Sequence, residues 1–116
     1  MKNRHFSIFP NDDNGDVLWR MYCDGDNLST PREMDFQVVF EDKAQAELFC
    51  AYIESCGFGS DLSHYPNQPD GRVWDVQVRR VMVPTYAAIC TFEETLQEEA
   101  ASGGGVNDGW GSFQKS

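Results

Sequence analysis

Residues 34–41 (MDFQVVFE) alternate cleanly, with Met34, Phe36, Val38 and Phe40 on one side and Asp35, Gln37, Val39 and Glu41 on the other. A strand sends successive side chains to opposite faces, so this period of two predicts a strand with one buried face. Residues 73–82 (VWDVQVRRVM) repeat the pattern, with Trp74, Val76, Val78 and Met82 inward. A weaker strand is expected over residues 58–65, with Phe58 and Leu62 on its inner side.

Elsewhere the period changes to that of a helix. Ala46, Phe49, Cys50 and Ile53 recur at i, i+3, i+4 and i+7, which puts them on one stripe. Asp42 stands ready to cap that helix, Gln45 takes the capping-box position and Gly57 ends it. A second stripe of Ala88, Ile89, Phe92 and Leu96 follows Pro84, which is expected in the first helical turn. Its opposite side carries Glu93, Glu94, Glu98 and Glu99, and Gly103 stops it.

The ends of the chain are less regular. Residues 1–13 are mixed and polar and read as a flexible arm, leaving residues 14–116 as a single domain. Val17, Leu18, Met21 and Tyr22 make a helical face, whereas Val17, Trp19, Met21 and Cys23 would suit a strand. A short helix is the preferred reading, because Asp13 or Asn14 can cap it and Gly25 lies just beyond its end. At the other end, Gly103 to Gly105 turn the chain back. Residues 106–113 then supply a last short strand or a packed turn. Trp110 there covers the edge of the core or, alternatively, anchors a partner. The resulting order, βαββαβ, is that of an α+β, ferredoxin-like fold: a four-stranded antiparallel sheet with two helices on one face, plus the short N-terminal helix.

Charge narrows the function. The 116 residues hold 9 Lys and Arg against 19 Asp and Glu, a net charge of -10. Such a field repels phosphate backbones, so no direct nucleic-acid contact is expected and a basic partner fits better. The outward positions of the two central strands, Asp35, Gln37, Val39, Asp75, Gln77 and Arg79, also lack the aromatics on which RNA-binding sheets stack bases. Cys23, Cys50, Cys56 and Cys90 form no CxxC pair, and His5 and His64 stand far apart, so no zinc site is expected. The acidic runs at 11–16 and 24–27 lack EF-hand spacing. The chain opens on no apolar leader and contains no 18-residue apolar run, which leads to the expectation of a cytoplasmic protein with reduced thiols and no membrane contact.

A catalytic pair is also missing from the pattern. Alternation sends His64 and Asp61 to opposite faces of their strand. No enzyme activity, metal or cofactor is expected. Arg80 is the residue that fits least well: alternation turns it inward beside Val78. It either reaches solvent at the strand end or pairs with Glu93 or Asp108.

Several stretches together carry a family likeness: Asp24-Gly25-Asp26, the strand 34–40, residues 80–85 (RVMVPT) running on to Ile89, Glu93 and Leu96, and above all residues 103–113 (GGGVNDGWGSF). Over about residues 14–113 the chain resembles the family named for the regulator of ribonuclease E activity B. Its most specific part is Asp108-Gly109-Trp110-Gly111. The resemblance implies a ferredoxin-like domain without a catalytic centre that inhibits ribonuclease E through the enzyme's disordered, arginine-rich scaffold region and so alters RNA turnover and degradosome composition. Glu93, Glu94, Glu98 and Glu99 are the candidate surface for such a basic segment. A module of another class, sensing a small molecule as ACT-like domains of this fold do, is the alternative, although no small-molecule ligand is expected.

Overall fold

A computed structural model describes residues 3–112. Among these the elements run α1 (Asp13–Cys23), β1 (Arg32–Phe40), α2 (Lys43–Ser55), β2 (Gly59–His64), β3 (Trp74–Met82), α3 (Tyr86–Ala101) and β4 (Val106–Ser112). The four strands form one sheet in the order β2-β3-β1-β4. Every neighbouring pair is antiparallel. The order of strands and helices is the one the hydrophobic periods predict, and residues 16–23 are helical.

Register explains where the core sits. β1 pairs with β3 as Phe36↔Val78 and Val38↔Val76, so the apolar sides of both strands coincide. Met34, Phe36, Val38, Val76 and Val78 are fully buried. On α3, Ile89, Phe92, Leu96 and Ala100 turn toward them, and on α2, Ala46, Phe49 and Ile53 do the same. Phe36 meets Phe92 edge-on at 4.8 Å, and Phe40 meets Phe49 at 5.4 Å. Because Phe36 and Phe40 lie on the same side of β1, α2 and α3 cover the same face of the sheet. Each such side chain contributes about 1.5–3 kcal/mol on burial.

The caps follow local chemistry. Asp42 accepts the Ala44 N–H at 2.9 Å and starts α2. Pro84 stands before the helix rather than in its first turn, because Thr85 takes the cap and accepts the Ala88 N–H at 3.2 Å. After α3 the chain turns through Gly104, whose φ is 76°. Gly105 is pressed so close to the Phe40 ring that an added Cβ would lie 2.6 Å from it. The last strand extends to Ser112 as a paired edge strand; Phe113 lies outside the described residues.

α1 packs on α3. Asp12 caps it, accepting the Gly15 N–H at 2.8 Å and the Tyr86 hydroxyl. The Tyr86 hydroxyl, with the Gly15 N–H next, holds the Asp12 carboxyl below its ordinary pKa, and the bond to Asp12 pushes the Tyr86 phenol up. Within the segment read as an arm, Phe9 is buried against Trp19 and Tyr22, with ring centroids 5.4 Å apart in each case. Arg4 reaches from the same segment to the Phe9 and Pro10 carbonyls and to Asp16, the last at 2.7 Å.

Candidate interaction surfaces

The family motif sits where β4, α3 and α1 meet. β4 pairs with β1 as Val38↔Asn107 and Phe36↔Trp110, and the register shifts between them. Two residues, Asp108 and Gly109, therefore bulge between two inward-facing ones. Gly109 has φ 111°, a conformation that side-chain-bearing residues rarely adopt. The bulge keeps both Asn107 and Trp110 on the covered face. Trp110 packs half-buried against the core and donates its indole Nε1–H to Asn14 Oδ1 at 2.8 Å. Gly111 follows opposite Asp35.

Asn14 links this strand to the helix. Its Nδ2 donates to Glu93 Oε1 at 2.7 Å and lies 3.4 Å from Cys90 Sγ. Asn107 Nδ2 donates to the other oxygen, Glu93 Oε2, at 2.8 Å. One turn further along α3, Gln97 donates to the Gly105 carbonyl and accepts the Asn107 N–H, at 3.0 and 2.8 Å. The seam is thus a polar clamp that fastens α1 and β4 to α3. Asn107 Oδ1 is buried there without a donor.

This geometry divides the glutamate group. Glu93 is half-buried with both oxygens engaged inside the fold, whereas Glu94, Glu98 and Glu99 are exposed. Asp108 is exposed as well. The inward Arg80 forms no ion pair with Glu93 or Asp108. Its guanidinium lies over the rings of Phe92 and Phe58, 4.6 and 5.3 Å from their centroids. A guanidinium is weakly hydrated and stacks on aromatic faces, so two rings replace the carboxylate.

A buried ion pair had no signature in the pattern. Arg32 opens β1 with its side chain 1% exposed, and its Nη1 contacts both oxygens of Asp26, itself 0% exposed, at 2.7 and 2.8 Å. Arg32 Nη2 also donates to the Asn27 carbonyl at 2.6 Å. Asp26 falls within the acidic turn at 24–27, and the signal available is an arginine at an inward position of a strand beside that turn. Its role is to lock the loop between α1 and β1.

His64 and Asp61 stay apart. His64 stacks on Trp74 at 4.2 Å, while Asp61, on the other face, lies 3.3 Å from Arg79 Nε. Among the described residues, no three His, Cys, Asp or Glu side chains are grouped as a metal site, and no helix is long and apolar enough to cross a membrane.

The fold and seam define a small mixed α/β protein in which Trp110 of the motif is tied into the structure while Asp108 is exposed. The family model for "Regulator of ribonuclease activity B" matches residues 11–112, and the chain belongs to that family. No curated protein matches it.

Proposed function

We propose that this protein is a non-catalytic regulator that binds and inhibits ribonuclease E or a related RNA-processing enzyme in the cytoplasm, gripping a basic disordered segment of it by charge. Membership of the ribonuclease-regulator family over residues 11–112 is the observation that carries this reading. The net charge of -10 supports it, because complementary fields steer association and select basic partners. The strand order β2-β3-β1-β4 supports a ferredoxin-like scaffold for that role.

The test is cleavage of an RNA substrate by purified full-length ribonuclease E with increasing amounts of the protein. Inhibition that saturates near one-to-one and fades as salt rises is expected, since the Debye length shrinks from about 10 Å at 0.1 M to about 3 Å at 1 M. Absence of both binding and inhibition at low salt overturns the reading.

A further inference from the structure

α2 and α3 cover one face of the sheet and α1 packs on α3, so among the described residues no helix packs on the other face. Register assigns its residues without ambiguity. Asp35 lies opposite Arg79, Gln37 opposite Gln77, and Val39 opposite Asp75. All of these point away from α2 and α3, since their neighbours along each strand form the core.

Charge on this face is unevenly placed. Its one arginine, Arg79, is drawn toward the β2 edge. There its Nε stands 3.3 Å from Asp61, and its guanidinium lies so close over Gly59 that an added Cβ would be 3.0 Å from Nη2. Among the described residues, the half formed by β1, the start of β3 and the β4 bulge presents Asp35, Asp75 and Asp108 and no cation on this face. Two of these carboxylates are poorly served within the fold. Asp35 Oδ1 and Asp75 Oδ1 are shielded from solvent and accept no hydrogen bond. Burial, with the Asp108 charge next, pushes the Asp75 carboxyl above its ordinary pKa. A carboxylate that is half desolvated, unpaired and beside another negative charge is relieved by a cation brought from outside.

We propose that this open face, through Asp35, Asp75 and Asp108, docks an extended arginine- or lysine-rich segment of the regulated ribonuclease. The proposal rests on the regulator reading above and adds the surface to it. Spacing fits such an occupant. Asp75 lies one strand over from Asp35 and four residues along, which is about 14 Å at roughly 3.3 Å per residue and 4.8 Å between strands. Cations four residues apart on an extended segment span about 13 Å. Gln37 and Gln77, which lie between the two carboxylates, can exchange hydrogen bonds with the backbone of that segment. The alternative surface, on α3, has one of its four glutamates already engaged and presents Glu94, Glu98 and Glu99 exposed to water, where an ion pair gains little.

Two sets of substitutions decide between the surfaces. Asp35→Asn, Asp75→Asn and Asp108→Asn together, and Glu94→Gln, Glu98→Gln and Glu99→Gln together, each remove three of the 19 acidic charges. Any difference between them therefore reports position, not net charge. The probe is a synthetic peptide of repeating Arg-Ser, titrated at about 0.05 M salt into the isotopically labelled protein while backbone amide shifts are followed. The expected shifts fall on β1, β3 and β4, and the Asp set weakens binding about tenfold or more, against less than threefold for the Glu set. Shifts confined to α3, shifts nowhere, or an equal loss from the Glu set overturns the proposal. The same two variants are then measured against full-length ribonuclease E. If the unaltered protein fails to bind the enzyme, the regulator reading falls. If it binds and the Asp set binds equally well, this surface falls and the regulator reading stands. A circular-dichroism melt of each variant checks for misfolding, which is not expected because Asp35 Oδ1 and Asp75 Oδ1 accept no hydrogen bond and Asp108 is exposed.

Discussion

Two regions of this acidic chain treat their carboxylates in opposite ways. Along the seam of α1, α3 and β4, Glu93 receives a donor on each oxygen, from Asn14 and Asn107, and Trp110 is tied into the same network. On the uncovered face of the sheet, Asp35 and Asp75 each keep an oxygen that is shielded yet unmet. The difference teaches that a negative charge can be used here either to close the fold or be left in reserve for something outside it. The family motif spans both, because the bulge turns Trp110 inward and Asp108, two positions before it, outward.

The fully engaged extreme is the Asp26–Arg32 pair, and the largest effect is expected there. Arg32→Met leaves a buried carboxylate without its partner and should cost about 3–5 kcal/mol of stability in urea unfolding. Replacing both members, Asp26→Leu with Arg32→Met, should recover most of that loss, since an apolar pair of similar volume removes the stranded charge. A loss below about 1 kcal/mol for the single change would show that the pair is wetter than its geometry implies.

Trp110→Ala comes next. Full truncation of a buried Trp costs about 3–5 kcal/mol, and the half-buried ring here, with its bond to Asn14, should cost about 2–3 kcal/mol. An unchanged melting temperature together with lost binding would move Trp110 from the structural region to the interaction region.

How much of this was legible before the structure depended on the period. The strand at 34–40 and the stripes at Ala46 and Ile89 were legible because burial on one face imposes a repeat of two or 3.6 on the residues themselves. The exposed state of Glu94, Glu98 and Glu99 followed in the same way. Contacts between elements far apart in sequence leave no such repeat. Asn14 gave no sign that it would meet Trp110, 96 positions away, or draw Glu93 out of the solvated face. Arg80 was legible as misplaced, with solvent at the strand end or a carboxylate as the two outcomes on offer, and its guanidinium lies over two rings from separate elements. The sequence also placed Asp35 and Asp75 outward, while their lack of donors depends on the register that sets Arg79 against Asp35 and yet draws it toward Asp61.

Within the seam, Asn14→Ala removes the acceptor for the Trp110 indole and one of the two donors to Glu93. A cost of about 1–2 kcal/mol is expected, because the Trp110 indole N–H and Glu93 Oε1 are left partly buried and unpaired. Glu94→Gln, one residue from Glu93 but exposed, should change stability by less than about 0.5 kcal/mol. Equal effects from the two would erase the distinction between engaged and free glutamates on α3. The comparison is made in one urea series, so that a shared change in slope would reveal an altered denatured state.

The smallest effect has the opposite sign and belongs to the open face. Asp75 has its carboxyl pKa raised above the ordinary 3.8 by burial and by Asp108. Its folded state therefore holds a proton more tightly than the unfolded chain does, and stability is lost as pH rises from about the unfolded value through the raised folded one. At neutral pH the ionised Asp75 is a net cost. Asp75→Asn should accordingly raise the melting temperature at pH 7, with the gain shrinking toward zero as pH falls below 3.8 and both proteins become neutral at this position. A lower melting temperature at pH 7 would mean that Asp75 has a favourable partner inside the fold and would remove the contrast with Glu93. Asp108→Asn should give a smaller gain of the same sign, because it removes only the lesser of the two causes, the nearby charge, and leaves the burial of Asp75 as it was.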